Sequence, residues 1–205
     1  MSRTKGKLYV ISGPSGTGKG TICAELLKDK HNEFSVSMTT RDPREGEVHG
    51  KDYFFVTREE FLDNVEAGNF LEHAQVFDNL YGTPKDMVIK RLDRGYNVLL
   101  DIDVQGGLQV RKAMPESILI FILPPSLKEL RRRLEGRGTE TADKVEKRLG
   151  QALSEIKLIG EYDYIIINDD LETAANEARS IIEAESHRVP EAVRGIIREY
   201  ENELQ

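Results

Sequence analysis

The chain is short of the features that would place it in several large classes. It has a single cysteine, Cys23, so no disulfide can form within the chain, which fits a reducing compartment. No apolar run approaches the roughly 20 residues a membrane helix needs. The N-terminus from Met1 to Gly6 is polar and basic, and the apolar stretch after it, Leu8–Ile11, is too short for a secretory leader. A cytoplasmic location with no membrane partner is the resulting expectation. With only 17 glycines and 7 prolines in 205 residues, collagen and Pro/Gly-rich linker proteins are excluded. Positive charge is scarce as well. Twenty-nine Lys and Arg against 36 Asp and Glu leave a net charge of −7, which argues against a general nucleic-acid binder. A phosphate-bearing ligand must therefore be met by cations concentrated in one place. The four histidines, His31, His49, His73 and His187, show no metal-ligand spacing, and there is no repeat or low-complexity tract.

What is present is a rhythm of buried strands and amphipathic helices. Leu8–Ile11, Asn97–Ile102, Ser117–Leu123 and Ile165–Ile167 are continuous apolar runs separated by helical stretches. That pattern predicts an α/β fold with a parallel sheet covered on both faces. Helices are expected over about 19–30, over 57–68 with Thr57 and Glu60 as a capping box, and from Thr83-Pro84 to Gly95. Two more follow, one after Ser126, with Glu129 three residues on, and one over 171–185. Asp52–Val56 and Phe70–Phe77 read as strands. The more polar stretch of about 34–83 breaks the rhythm and reads as an insert. The core then comprises 1–33 and 84–189. An Arg/Gly/Thr-rich flap begins near Gly136 and is taken as a lid to about residue 148. The tail, 190–205, reads as a charged amphipathic helix, either a solvated packing helix or a homodimer contact.

The densest chemical signal is Gly13-Pro14-Ser15-Gly16-Thr17-Gly18-Lys19, placed between the first strand and the first helix. Glycines let the backbone approach a polyphosphate closely, the helix N-terminus favours negative charge, and Lys19 adds a point charge. After Lys19 comes Gly20, and the hydroxyl expected next to the lysine arrives one place later, at Thr21. Direct ligation of a metal by Thr21 and a contact through water both stay open. Asp101 ends the central strand, where a carboxylate can hold Mg²⁺ through its water shell. Asp103 reads equally as a site residue or as the cap of the next helix.

In the insert, Arg41 and Arg44 lie three apart among hydroxyls and Tyr53, a pattern able to fork onto one phosphate. Together with Phe70-Leu-Glu72, Tyr81-Gly-Thr83, Asp101-Ile-Asp103, Arg133-Leu-Glu-Gly-Arg137, Lys147-Arg148-Leu and Asn168-Asp-Asp, these motifs run in order from about Leu8 to Ile182. The chain resembles the guanylate kinase family.

That resemblance implies a P-loop kinase core with an inserted mixed α/β subdomain for the nucleoside monophosphate and a mobile lid. It also implies Mg²⁺-dependent transfer of a phosphoryl group from ATP to GMP, and with it dGMP, in purine nucleotide metabolism. By the same resemblance Ser37, Glu72 and Thr83 read the guanine base with help from Asp103. Arg41, Arg44, Tyr53 and Tyr81 clamp the GMP phosphate, and Arg133, Arg137 and Arg148 close over the ATP phosphates. Asn168 lies near the adenine, and Lys19, Arg41, Arg137 and Arg148 carry the catalytic charge. Guanine presents N1–H and N2–H₂ side by side, and one carboxylate accepts from both, whereas adenine would leave it unpaired. Scaffold domains of similar sequence that lack a working ATP site form the competing reading; the intact Gly13–Lys19 loop and Asp101 count against it.

Overall fold

The computed structural model describes residues 5–136, 142–189 and 193–203. Its centre is a five-stranded, all-parallel sheet in the order β2-β7-β1-β8-β9. The strands are β1 (Leu8–Ser12), β2 (Asn32–Phe34), β7 (Asn97–Asp101), β8 (Ile118–Leu123) and β9 (Tyr164–Ile167). The apolar runs are continuous because both faces are covered. Side chains alternate across a strand, so Tyr9 and Ile11 point one way and Leu8 and Val10 the other. On the first face they meet α1 (Lys19–Leu26) and α7 (Leu171–Ser186), through Ile22, Leu26, Ala174 and Ala178. On the second they meet α3 (Lys85–Asp93) and α4 (Val104–Ala113), through Val88, Leu92 and Val110. A third cluster, Leu130, Leu134, Val145 and Ala152, joins α5 (Leu127–Glu135) to α6 (Ala142–Ile156).

The stretch between β2 and α3 forms a second sheet of its own, ordered β4-β3-β6-β5. Its strands are β3 (Met38–Thr39), β4 (Phe54–Phe55), β5 (Phe70–Val76) and β6 (Asn79–Pro84). One face is packed by α2 (Arg58–Glu66) through Phe61, stacked on Phe70 with ring centroids 4.6 Å apart. The remaining helix, α8 (Val193–Asn202), lies in the C-terminal stretch. Among the described residues no helix is long and apolar enough to cross a membrane.

Three local expectations shift. The helix expected from Thr83 begins instead at Lys85, because Tyr81–Pro84 is drawn into the ladder with β5, with Thr83 opposite Glu72. The first helix stops at Leu26 rather than near Lys30, where the Asn32 amide donates to the Leu26 carbonyl at 2.9 Å and takes over the helix end. The strand expected over 52–56 shrinks to Phe54–Phe55. Asp52 instead folds back, its carboxylate accepting from the Val48 N–H at 2.8 Å.

Candidate active site

The loop between β1 and α1 lies at the carboxyl end of the parallel sheet. Gly13, Gly16 and Gly18 take φ of +140°, +92° and +90°, conformations that side chains resist. Gly18 has a second reason, since a Cβ there would collide with the Asn168 amide nitrogen. Thr17 ties the loop to itself by donating to the Pro14 carbonyl at 2.9 Å. Lys19 curls back over the loop, its ammonium donating to the carbonyls of Gly13 at 2.7 Å and Pro14 at 3.0 Å. Burial lowers its pKa, while Asp101 opposes that shift. A half-buried cation folded onto the loop's own carbonyls at the N-terminus of α1 is a seat for an anion.

Asp101 stands level with the start of this loop, because β7 pairs with β1 in the register Ile11 to Asp101. Its carboxyl is pushed up by burial, with Lys19 pulling it down. Asp103 caps α4, one oxygen accepting from the Gly106 N–H at 2.8 Å, so the capping reading holds. Arg148 on α6 reaches Ser15 of the loop at 2.7 Å. Together these enclose a cleft of ≈ 240 Å³ also lined by Gln151 and Glu155. Sequence reasoning missed those two. Helical spacing from Arg148, three and seven residues on, was the signal that could have found them. Burial pushes the Glu155 carboxyl up as well. Thr21 is exposed on the first turn of α1 and is not part of the cleft lining. Among the described residues no cluster of three or more His, Cys, Asp or Glu side chains is arranged to hold a metal ion.

Arg133 and Asn168 are brought together, and both lean on the loop. Arg133 donates to Glu129 at 2.8 Å and to the Asn168 carbonyl at 3.0 Å. The Asn168 amide donates in turn to the Thr17 carbonyl at 2.7 Å. Glu129, gripped by Arg132 and Arg133, has its carboxyl held down to about 2. Asn168 is therefore a buried brace of the loop, whatever else it touches. Arg137 lies outside the described residues, as do 138–141.

The second constellation sits on the smaller sheet. Register sets Glu72 opposite Thr83, and the Thr83 hydroxyl donates to Glu72 Oε1 at 2.6 Å. Glu72 is 7% exposed. Its pKa is raised first by burial, with the Thr83 hydrogen bond opposing and Asp103 adding to the rise. A carboxylate buried this deeply and bonded by Thr83 through its hydroxyl and its main-chain N–H has capacity for further donors. Its other oxygen lies against Gly106, where a Cβ would stand only 3.3 Å away. The first turn of α4 thus borders both the loop cleft, through Asp103, and the Glu72 pocket, through Gly106.

Arg41 lies near the rings of Tyr53 and Phe55, at 5.5 and 5.8 Å from their centroids, and Tyr53 meets Tyr81 edge-on at 6.0 Å. One residue holds this group that the sequence did not single out. Glu47 accepts from Arg41 Nη2 through both oxygens, at 2.8 and 2.9 Å, and from the Arg44 N–H at 2.7 Å. Their bond holds the Glu47 carboxyl down and the Arg41 guanidinium up. An acid six residues beyond the first arginine was visible, but the loop that folds it back was not. Arg44 itself is exposed, and the Ser37 carbonyl accepts from the Phe54 N–H at 2.9 Å.

Comparison with known proteins agrees over almost the whole chain. The sequence profile described as Guanylate kinase matches residues 5–185. A curated guanylate kinase from Clostridioides difficile (strain 630) is 51% identical over 201 residues, covering 98% of each chain. One from Clostridium tetani (strain Massachusetts / E88) is 53% identical over 185 residues, covering 90% of this chain and 89% of that one. Among solved structures, a guanylate kinase from Anaplasma phagocytophilum superposes with a TM-score of 0.71 at 39% identity, covering 92% of this chain and 90% of that one.

Proposed function

Because this chain belongs to the guanylate kinase family, and so is an ATP:GMP phosphotransferase, we propose that its two constellations divide the substrates between them. ATP takes the loop cleft and GMP takes the smaller sheet. The insert of about 34–83 forms the acceptor side, and the segment of about 136–148 covers the phosphates.

The observation that carries the assignment is the buried Glu72 carboxylate, held by Thr83 and turned toward the first turn of α4. Guanine N1–H and N2–H₂ give it the donors that burial has removed. Ser37 and Asp103 complete the reading of the base. Arg41, whose guanidinium is now held by Glu47, exchanges that carboxylate for the GMP phosphate. Arg44, whose main-chain N–H donates to Glu47 while its side chain is exposed, joins it there with Tyr53 and Tyr81. The same contacts exist in dGMP, so it is an acceptor too.

Transfer is direct and in line. An oxygen of the GMP phosphate attacks the γ-phosphorus of ATP, the bond to the β-phosphate oxygen breaks, and ADP leaves as GDP forms. No enzyme nucleophile is needed, since the attacking oxygen is already ionised. The protein contributes position and charge cancellation. Lys19 releases the Gly13 and Pro14 carbonyls and turns to the ATP phosphates, which the amides of residues 13–21 surround. Arg148 closes from α6, Arg137 adds its charge to the same phosphates, and covering them keeps water from competing with GMP. Arg133 and Asn168 form the adenine end, with Asn168 also bracing the loop.

The donor set fits a Mg²⁺ that keeps most of its waters. A half-buried carboxylate, Asp101, stands beside the phosphate lysine, with no three-acid cage among the described residues. Asp101 would hold the ion through water, with Thr21 the first hydroxyl after Lys19, and the ion would add positive charge on the phosphate oxygens.

The test is ADP release measured with ATP and Mg²⁺ across GMP, dGMP, AMP and UMP. GMP and dGMP should be turned over and AMP and UMP rejected by at least about 10³-fold. Turnover of AMP comparable to GMP would remove Glu72 as the base reader.

A further inference from the structure

β5 forms one edge of the smaller sheet, so part of its backbone has no strand partner. At residue 73, next to Glu72, both main-chain groups are taken by one side chain from α4. The His73 N–H donates to Gln109 Oε1 at 3.1 Å, and Gln109 Nε2 donates to the His73 carbonyl at 3.2 Å. The amide of Gln109 thus pairs with the edge as a neighbouring strand would. Two bonds to one residue fix both the height and the rotation of the strand against α4.

Gln109 continues a row on α4. Asp103 caps the helix through the Gly106 N–H, Gly106 lies against Glu72 Oε2, and Gln109 grips residue 73. Residues three apart on a helix are neighbours, so one stripe of α4 faces the guanine-reading carboxylate and the backbone beside it. Thr83 holds the other oxygen of Glu72.

We propose that Gln109 is a positioning residue for the acceptor: it sets Glu72 against the Asp103 end of α4, so that guanine meets both carboxylates at once. This rests on the reading of Glu72 as the guanine acceptor. Gln109 and His73 are both exposed, so water can replace the lost bonds, and overall stability depends little on them. Water cannot restore the alignment, and misplacement of well under a helical turn is enough to lower binding.

The experiment compares Gln109→Met, which keeps the length and removes both bonds, and Gln109→Glu, which keeps only the acceptance, in the full chain. KM for GMP should rise about fivefold or more in Gln109→Met and rise in Gln109→Glu as well. KM for ATP, kcat at saturating GMP and the melting temperature should stay near the parent values. Glu72→Gln and the double variant Glu72→Gln/Gln109→Met complete a cycle, in which the double variant should have the same KM for GMP as Glu72→Gln alone. An unchanged KM for GMP in Gln109→Met, while Glu72→Gln raises it, overturns the positioning role and leaves the base reader standing. Additive losses, or equal losses for ATP and GMP with a lower melting temperature, also overturn it. If Glu72→Gln leaves KM for GMP unchanged, the base reading fails, and the positioning role with it.

Discussion

A carboxylate taken out of water is costly, and Glu72, bonded by Thr83 alongside, bears that cost in the free protein. Burial pushes its pKa up accordingly. A folded-state carboxyl held above its unfolded value weakens the fold when ionised in both states. That penalty is present at neutral pH, fades as pH falls through the folded value, and is gone below the unfolded one. Glu72→Gln should therefore melt at a higher temperature than the parent at pH 7. The same variant should bind GMP about 10- to 100-fold more weakly, because an amide cannot accept from both guanine donors. In the parent, KM for GMP should climb as pH drops below neutral toward a midpoint above the ordinary 4.5, while the variant stays flatter over that window. Melting curves and KM–pH profiles decide it. A less stable Glu72→Gln, or parallel pH profiles, would contradict the buried-acceptor account. Glu47 poses the complementary problem: it satisfies Arg41 in the free protein, so the proposed phosphate clamp would be built around an internal anion.

Secondary-structure elements follow local chemistry where caps and turns decide, and depart from it where pairing does. Thr57, Ser126 and Asp170 each accept from the N–H three residues on, as their positions at helix starts require. The β5–β6 hairpin is the exception. It turns at Phe77, a non-glycine residue with φ of 54° and 90% exposed. A bulky residue in the left-handed region pays about 1–2 kcal/mol that Asn largely avoids. Phe77→Asn should therefore stabilise the protein by about 1 kcal/mol, a rise of ~2–4 °C for a chain of this size. A melting temperature that falls would mean the ring makes contacts that outweigh the strain.

For the whole molecule, the working cations of an acidic chain fall, on the proposed reading, at two adjoining sites. With net charge −7, nucleotide affinity depends on local positive groups that salt screens. The screening length is about 8 Å at physiological ionic strength. Raising monovalent salt through that range should increase KM for both ATP and GMP more than it lowers kcat. Salt-independent KM values would show that shape rather than charge holds the nucleotides. The sequence alone determined what is local. Its apolar runs specify strands covered on both faces, its glycine loop carries a lysine at a helix start, and its ordered motifs mark the guanylate kinase family. Tertiary structure decided what depends on chains meeting across long separations. It brought Thr83 to Glu72 across a strand ladder, folded Glu47 back onto Arg41, turned Asn168 onto Thr17 and set Gln109 against residue 73. Propensity and periodicity act over a few residues, whereas a side chain's partner across the molecule is settled only when the sheets and helices have packed.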